Sequence, residues 1–79
     1  MKVKIISNNN IEVNSKDYIY LQSYDSMVAR ITKSTGLLIV DKTVANYSVT
    51  TKKHFNQFTK RHKDIIKKKV YTNHIIKIE

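Results

Sequence analysis

Between residues 52 and 69 stand eight of the chain's 15 Lys and Arg residues and a single acid, Asp64. Lys53, Lys60, Arg61, Lys63, Lys67 and Lys68 fall opposite an apolar stripe if this stretch is helical. A row of ammonium groups on a rigid rod can track phosphates and displace condensed counterions. A solvated outer face would normally mix signs to gain i,i+4 pairs, and this one does not. Lysine outnumbers arginine 13 to 2. Arginine's planar fork is the better reader of guanine edges, so a lysine-dominated surface suits phosphate contact without base readout. Richness in Lys, Ile and Asn is also what an AT-rich coding sequence produces.

Tyr18, Tyr20 and Tyr24 form a second pattern. In a strand they share one face, where they could stack unpaired bases. Tyrosine is equally an ordinary strand residue that covers a sheet. Histidine offers less. His54 and His62 are eight residues apart, about 12 Å along a helix and too far to share one ion. His74 lies on another element. No metal and no cofactor is expected. His54 reads as a packing or capping residue at the end of the apolar stripe, and His62 as a satisfied, partly buried one. The carboxylates Glu12, Asp17, Asp25, Asp41, Asp64 and Glu79 show no spacing that implies a paired acid and base. A set of Asp25, His54 and Ser26 would need long-range proximity that nothing in the sequence indicates. With no cysteine, thiol nucleophiles, disulfides and zinc–thiolate sites are excluded. With a single glycine, Gly36, there is no Gly-rich phosphate loop. The residues point to binding and not to catalysis.

The elements that must position these residues follow from periodicity. Met1, Val3 and Ile5 alternate with Lys2 and Lys4, a half-buried strand. Asn8-Asn9-Asn10 reads as a turn and Ile11 to Val13 as a second strand. Tyr18 to Tyr24 is strand by its aromatic and β-branched content. A bulge, bend or turn is expected near Asp25, with a one-turn helix over 24–30 as the alternative. Met27, Ala29 and Ile31 then alternate with Val28 and Arg30. Lys33 to Gly36 is a turn, and Leu37 to Val40 is a strand buried on both faces, continuing weakly through Asp41 to Asn46. From Ser48 or Thr50, either of which can cap a helix, Phe55, Phe58, His62, Ile65 and Ile66 recur at threes and fours. That predicts a helix of roughly five turns. Val70 to Ile78 returns to a strand pattern. The expected fold is a single α+β domain over residues 1–79: a small antiparallel sheet of four to five strands with one amphipathic basic helix packed on one face, β-β-β-β-α-β.

Length and composition agree with one domain that has a thin stability margin. The formal net charge of +9 predicts attraction to polyanions. The N-terminus has only two adjacent apolar residues, Ile5 and Ile6, which is too few for a signal peptide. The longest aliphatic run, Leu37 to Val40, is far short of a membrane span. A cytoplasmic protein with no membrane partner is expected.

Tyr47-Ser48-Val49-Thr50-Thr51-Lys52-Lys53-His54, followed by Phe58, resembles a family of small phage and prophage proteins of low-GC Gram-positive bacteria. The shared pattern is Tyr-Ser, one variable residue, Thr-Thr, two variable residues, His, then Phe. A Ser-Tyr segment and a Val-Ala pair precede it, here within Ser23-Tyr24-Asp25-Ser26-Met27-Val28-Ala29. The resemblance spans about residues 20–60 and brings no catalytic residues. It implies a phage accessory protein that acts in the cytoplasm of the host cell. Two roles fit. One is binding of nucleic acid or a nucleoprotein through RNA or DNA phosphates. The other is inhibition of a host defence enzyme, as anti-CRISPR proteins do, with an edge strand or sheet face meeting a protein and the lysines steering toward its acidic patch.

Overall fold

The alternation of apolar and polar residues over the first half folds as a meander in which each strand pairs antiparallel with the one before it. The computed structural model describes residues 1–45 and 48–78. Its strands are β1 (Lys2–Ser7), β2 (Asn10–Asn14), β3 (Tyr18–Ser23), β4 (Ser26–Thr32) and β5 (Leu37–Asp41). Two tight hairpins need left-handed residues at their tips and use Asn9 (φ 60°) and Tyr24 (φ 56°). Gly36 (φ 71°) closes the third, with its N–H donating to Thr32 O at 2.8 Å. The turn near Asp25 is therefore a two-residue hairpin tip, and no helix forms over 24–30.

A helical segment follows. α1 (Lys42–Ala45) is one turn, opened by Asp41 Oδ1, which accepts from the N–H groups of Thr43 at 3.0 Å and Val44 at 3.2 Å. The strand expected to continue toward Asn46 thus ends at Asp41, and Asn46 and Tyr47 lie outside the described residues. α2 (Val49–Arg61) is the long helix. β6 (Lys68–Thr72) then pairs parallel with β5. The result is a mixed six-stranded sheet in chain order, not an antiparallel sheet of four or five strands. The sequence does not show that Leu37–Asp41 and Lys68–Thr72 run side by side, because parallel pairing is set by the crossover between them.

α2 is also shorter than its periodicity suggests. It stops at Arg61, and His62 takes a non-helical conformation with its N–H donating to Phe58 O at 3.2 Å. The N–H groups of Ile65 and Ile66 fold back onto His62 O, and Lys67 N–H reaches Gly36 O at 2.8 Å. The chain then enters a five-residue ladder with β5, in which its backbone groups find partners. Only Ile66 of the pair Ile65 and Ile66 still packs inward.

One face of the sheet carries Ile19, Leu21, Val28, Ala29, Ile31, Leu38 and Val40 beneath Phe58 of α2, with Phe55, Val44 and Ile66 at the margin. The other carries Val13 and Tyr20, with Ile11, Tyr18, Met27 and Ile39 around them, and Ile76 of the C-terminal segment seated on top. A bulge makes Leu21 oppose Ala29 while Gln22 opposes Met27, so Val28 is the extra residue. It resets the alternation: Val28 and Ala29 both join the helix side, and Met27 turns to the far face with Tyr20. The residues after Thr72 leave the sheet, so the strand expected over 70–78 is only its first part.

Candidate functional site

The basic helix depends on its N-terminal cap. Ser48, in extended conformation, accepts from Thr51 N–H at 3.0 Å, which satisfies one of the four N–H groups a helix start leaves open. Thr51, His54 and Phe58 point inward at intervals of three and four, leaving Lys52, Lys53, Asn56 and Lys60 exposed. Ser48→Ala is expected to lower stability by about 1 kcal/mol, measured as a shift in the urea midpoint. An unchanged midpoint would show that the cap is dispensable.

A groove runs along each side of α2. On the β6 side a cavity of about 400 Å³ has Leu38, Phe55 and Ile66 at its floor. Lys60, Lys63 and Lys69 stand around it with Asn56 and Thr59. On the β1 side a cavity of about 550 Å³ is lined by Ile6, Ser7, Gln57, Lys60 and Arg61. Lys60 therefore stands between the two. Lys2 and Lys4 of β1 belong to the same side of the sheet. Lys4 sits opposite Glu12, which bonds to α2, whereas Val3 opposes Val13 of the far-face cluster. Among the described residues, no carboxylate lies within ion-pair distance of Lys60, Lys63 or Lys69.

The six basic residues singled out from the sequence do not stay together. Lys53 and Lys60 are on α2, and Lys63 is in the turn that follows it. Arg61 is paired with an acid although it remains exposed: its Nη2 donates to Glu12 Oε1 at 3.0 Å and its Nε at 3.3 Å. Lys67 lies beside Gly36 at the β4–β5 turn. Lys68, by strand alternation, faces away from Lys69 and from the helix. Ending the helix at Arg61 scatters this set, and the same chain reversal brings Lys69 in. Sequence reasoning missed Lys2, Lys4 and Lys69; the alternation of Lys2 and Lys4 with Val3 and Ile5 was the available signal for the first two.

Of the three tyrosines, Tyr18 and Tyr20 stay together on the far face, their ring centres 5.8 Å apart, and Tyr24 is separated from them. Tyr20 is fully buried. Tyr18 is half-buried on the same far face, with the Arg30 guanidinium 4.6 Å from its ring centre. Tyr24 sits at the hairpin tip, its ring 6.2 Å from that of His54 on α2.

Two polar clusters tie α2 to the sheet. Glu12 Oε1 accepts from Arg61 and, at 2.7 Å, from His62 Nε2. Burial pushes the Glu12 carboxyl up, but the hydrogen bonds from His62 and Arg61 and their charge outweigh it and hold the group below its ordinary range. In the second cluster Ser23 Oγ lies 2.8 Å from His54 Nδ1 and 3.2 Å from Thr51 Oγ1, and Ser48 Oγ donates to Thr51 Oγ1 at 3.1 Å. Burial, then the nearby charge of Lys53, lower the His54 pKa and favour the neutral ring. His54 thus pairs with Ser23 and not with Ser26 or Asp25. The Ser-Tyr segment and the Thr-Thr-x-x-His stretch, about 30 residues apart in sequence, meet here. Ser23 is 1% exposed, and no carboxylate among the described residues bonds to His54, so the cluster reads as a buttress between β3 and α2. Among the described residues no three His, Cys, Asp or Glu side chains could hold a metal ion.

The fold and these features define a small α+β domain with a basic, grooved helix face. The chain belongs to DUF8033, a family of unknown function whose model matches residues 1–74. The match takes in the lysine-rich stretch that follows the Tyr-Ser-x-Thr-Thr-x-x-His motif. No curated protein and no solved structure matches the chain. No helix among the described residues is long and apolar enough to cross a membrane.

Proposed function

We propose that this protein is a non-enzymatic binder of nucleic acid or of a nucleoprotein, holding phosphates without reading bases. One observation carries the reading: Lys60, Lys63 and Lys69, drawn from three segments, surround one groove with no acid paired to them among the described residues. Lys53 on the outer side of α2 and Lys2 and Lys4 on β1 extend the positive field over the same side of the sheet. In the setting that the motif resemblance suggests, the protein is a phage accessory factor and its target a nucleic acid or nucleoprotein of the host cytoplasm.

Binding of a labelled oligonucleotide should weaken steeply with salt. Three phosphate contacts give a slope of about −2 to −3 in log K against log salt, a loss of roughly 40- to 130-fold between about 50 and 300 mM. The triple variant Lys60→Glu/Lys63→Glu/Lys69→Glu should lose nearly all affinity and remain folded, because all three side chains are exposed. Equal affinity at both salt concentrations, or a triple variant that binds like the parent, would overturn the reading.

One observation favours a second reading, inhibition of a host defence enzyme by an edge strand. β1 is an unprotected sheet edge with Val3 64% and Ile5 74% exposed on one side and Lys2 and Lys4 on the other. It could receive an extended protein segment of alternating apolar and acidic residues. Recovery of one stoichiometric host protein from nuclease-treated lysate, lost on Val3→Lys/Ile5→Lys, would favour this reading over the first.

A further inference from the structure

Tyr71 lies two residues beyond Lys69 on β6. Both side chains project on the helix side of the sheet, because Thr72 lines a cavity on the opposite side with Arg30 and Ile39. Tyr71 is 52% exposed, and Lys69 Nζ stands 5.5 Å from the centre of its ring. Through Lys69 the ring adjoins the groove between α2 and β6.

Contact with the outside of a duplex needs only the lysines. It has no use for an apolar floor or for a bare aromatic ring, because the bases are stacked away inside. An unpaired strand offers both charged phosphates and free base faces, and each base can stack on an aromatic side chain whatever its identity. Leu38, Phe55 and Ile66 give the groove an apolar floor, and its volume of about 400 Å³ is within the range of small-ligand sites.

We infer that this groove and Tyr71 form a subsite for single-stranded nucleic acid. One unpaired base enters the groove, a neighbouring base stacks on Tyr71, and the linking phosphates lie against Lys60, Lys63 and Lys69. Asn56 and Thr59 offer hydrogen bonds at the rim without imposing a sequence. The cation above the Tyr71 ring is placed to stay in contact with a phosphate while the base covers the other face of the ring. The inference rests on the phosphate-binding reading and adds to it a preference for unpaired strands.

The test compares fluorescence anisotropy titrations of a labelled oligothymidine and of a duplex of the same length, at one low salt concentration. The single strand is expected to bind roughly tenfold more tightly. Tyr71→Ala should weaken single-strand binding about tenfold and leave duplex binding within about twofold, while Tyr71→Phe keeps the parent's values. An unchanged circular dichroism melt would show that the Tyr71→Ala variant is folded. Equal affinity of the parent for both probes overturns the inference and leaves phosphate binding standing, as does an equal loss for both probes in Tyr71→Ala. If neither probe nor heparin binds at low salt, phosphate binding itself fails and the subsite fails with it.

Discussion

Gly36→Ala is expected to cost about 3 kcal/mol or more, a large part of what a chain of this size has in total. Two effects add. Gly36 holds φ at 71°, where a side chain costs roughly 1–2 kcal/mol. A Cβ built there would also lie 2.4 Å from Ile65 O and 2.9 Å from Lys67 Cγ. The first of these is backbone and cannot swing aside. The turn between β4 and β5 would have to move off the chain entering β6, breaking the Lys67 N–H bond to Gly36 O. Urea unfolding should show a much lower midpoint with an unchanged slope. Gly36→Asn separates the two effects. Asparagine tolerates positive φ but still carries a Cβ, so it should recover only part of the loss. Parental stability in Gly36→Ala would mean that β6 does not pack against this turn.

Glu12→Ala should cost about 3 kcal/mol, because it removes one oxygen that accepts from two cationic or polar neighbours. Glu12 is 8% exposed, and the Arg61 side chain is 28% exposed, so water can rescue Arg61 only in part. Glu12→Gln keeps an acceptor and loses the charge, and it should fall between the parent and Glu12→Ala. The pH dependence has a definite sign. The folded-state pKa of Glu12 lies below its ordinary value of 4.5. Its contribution is therefore fully present above about pH 4.5 and is lost as the pH falls through the folded value. His54 acts at higher pH in the same direction. Its pKa is lowered from 6.5 by burial and then by Lys53, so the folded state favours the neutral ring and loses stability as the pH drops below 6.5. Urea midpoints measured between neutrality and pH 3 should decline in two stages. In Glu12→Gln the more acidic stage should vanish and the His54 stage persist. An identical acid profile in that variant would remove Glu12 from the account.

The two substitutions address the same question, which is what stops the basic segment from remaining one long helix. Glu12 fastens the last turn of α2 to β2 through Arg61 and His62. Gly36 receives the chain after it has reversed. Between them they decide which lysines line the groove.

Much of the framework was legible in the sequence. Period-two alternation located β1, β2 and β4, aromatic and β-branched content β3, and a continuous aliphatic run β5, while Asn8-Asn9-Asn10 and Lys33–Gly36 marked two of the turns. The capping Ser48 and the inward Phe55 and Phe58 located α2, because a helix in a small domain must bury one stripe. Local pattern fails where the deciding interaction is distant. Nothing near Arg61 ends a helix: no glycine or proline stands there, and the apolar spacing runs on to Ile66. The stop comes from partners far earlier in the chain, Gly36 and Glu12. The bulge at Val28 likewise depends on how β3 and β4 are offset, and it alone turned Met27 away from Ala29 and Ile31.

By itself, then, the sequence determined the composition-level facts and the local elements: the excess of positive charge, the strand and helix periods, the capping serine, and the absence of thiol chemistry. Tertiary structure alone decided which charges share a surface. It paired Arg61 with Glu12, turned Lys68 from the helix side, brought Lys69 beside Lys60 and Lys63, and buried Tyr20 while leaving Tyr71 open. The physical reason is that hydrophobic period is a property of neighbours along the chain. Parallel pairing of β6 with β5, and the acceptors that end a helix, are supplied by residues the chain meets only after it has folded.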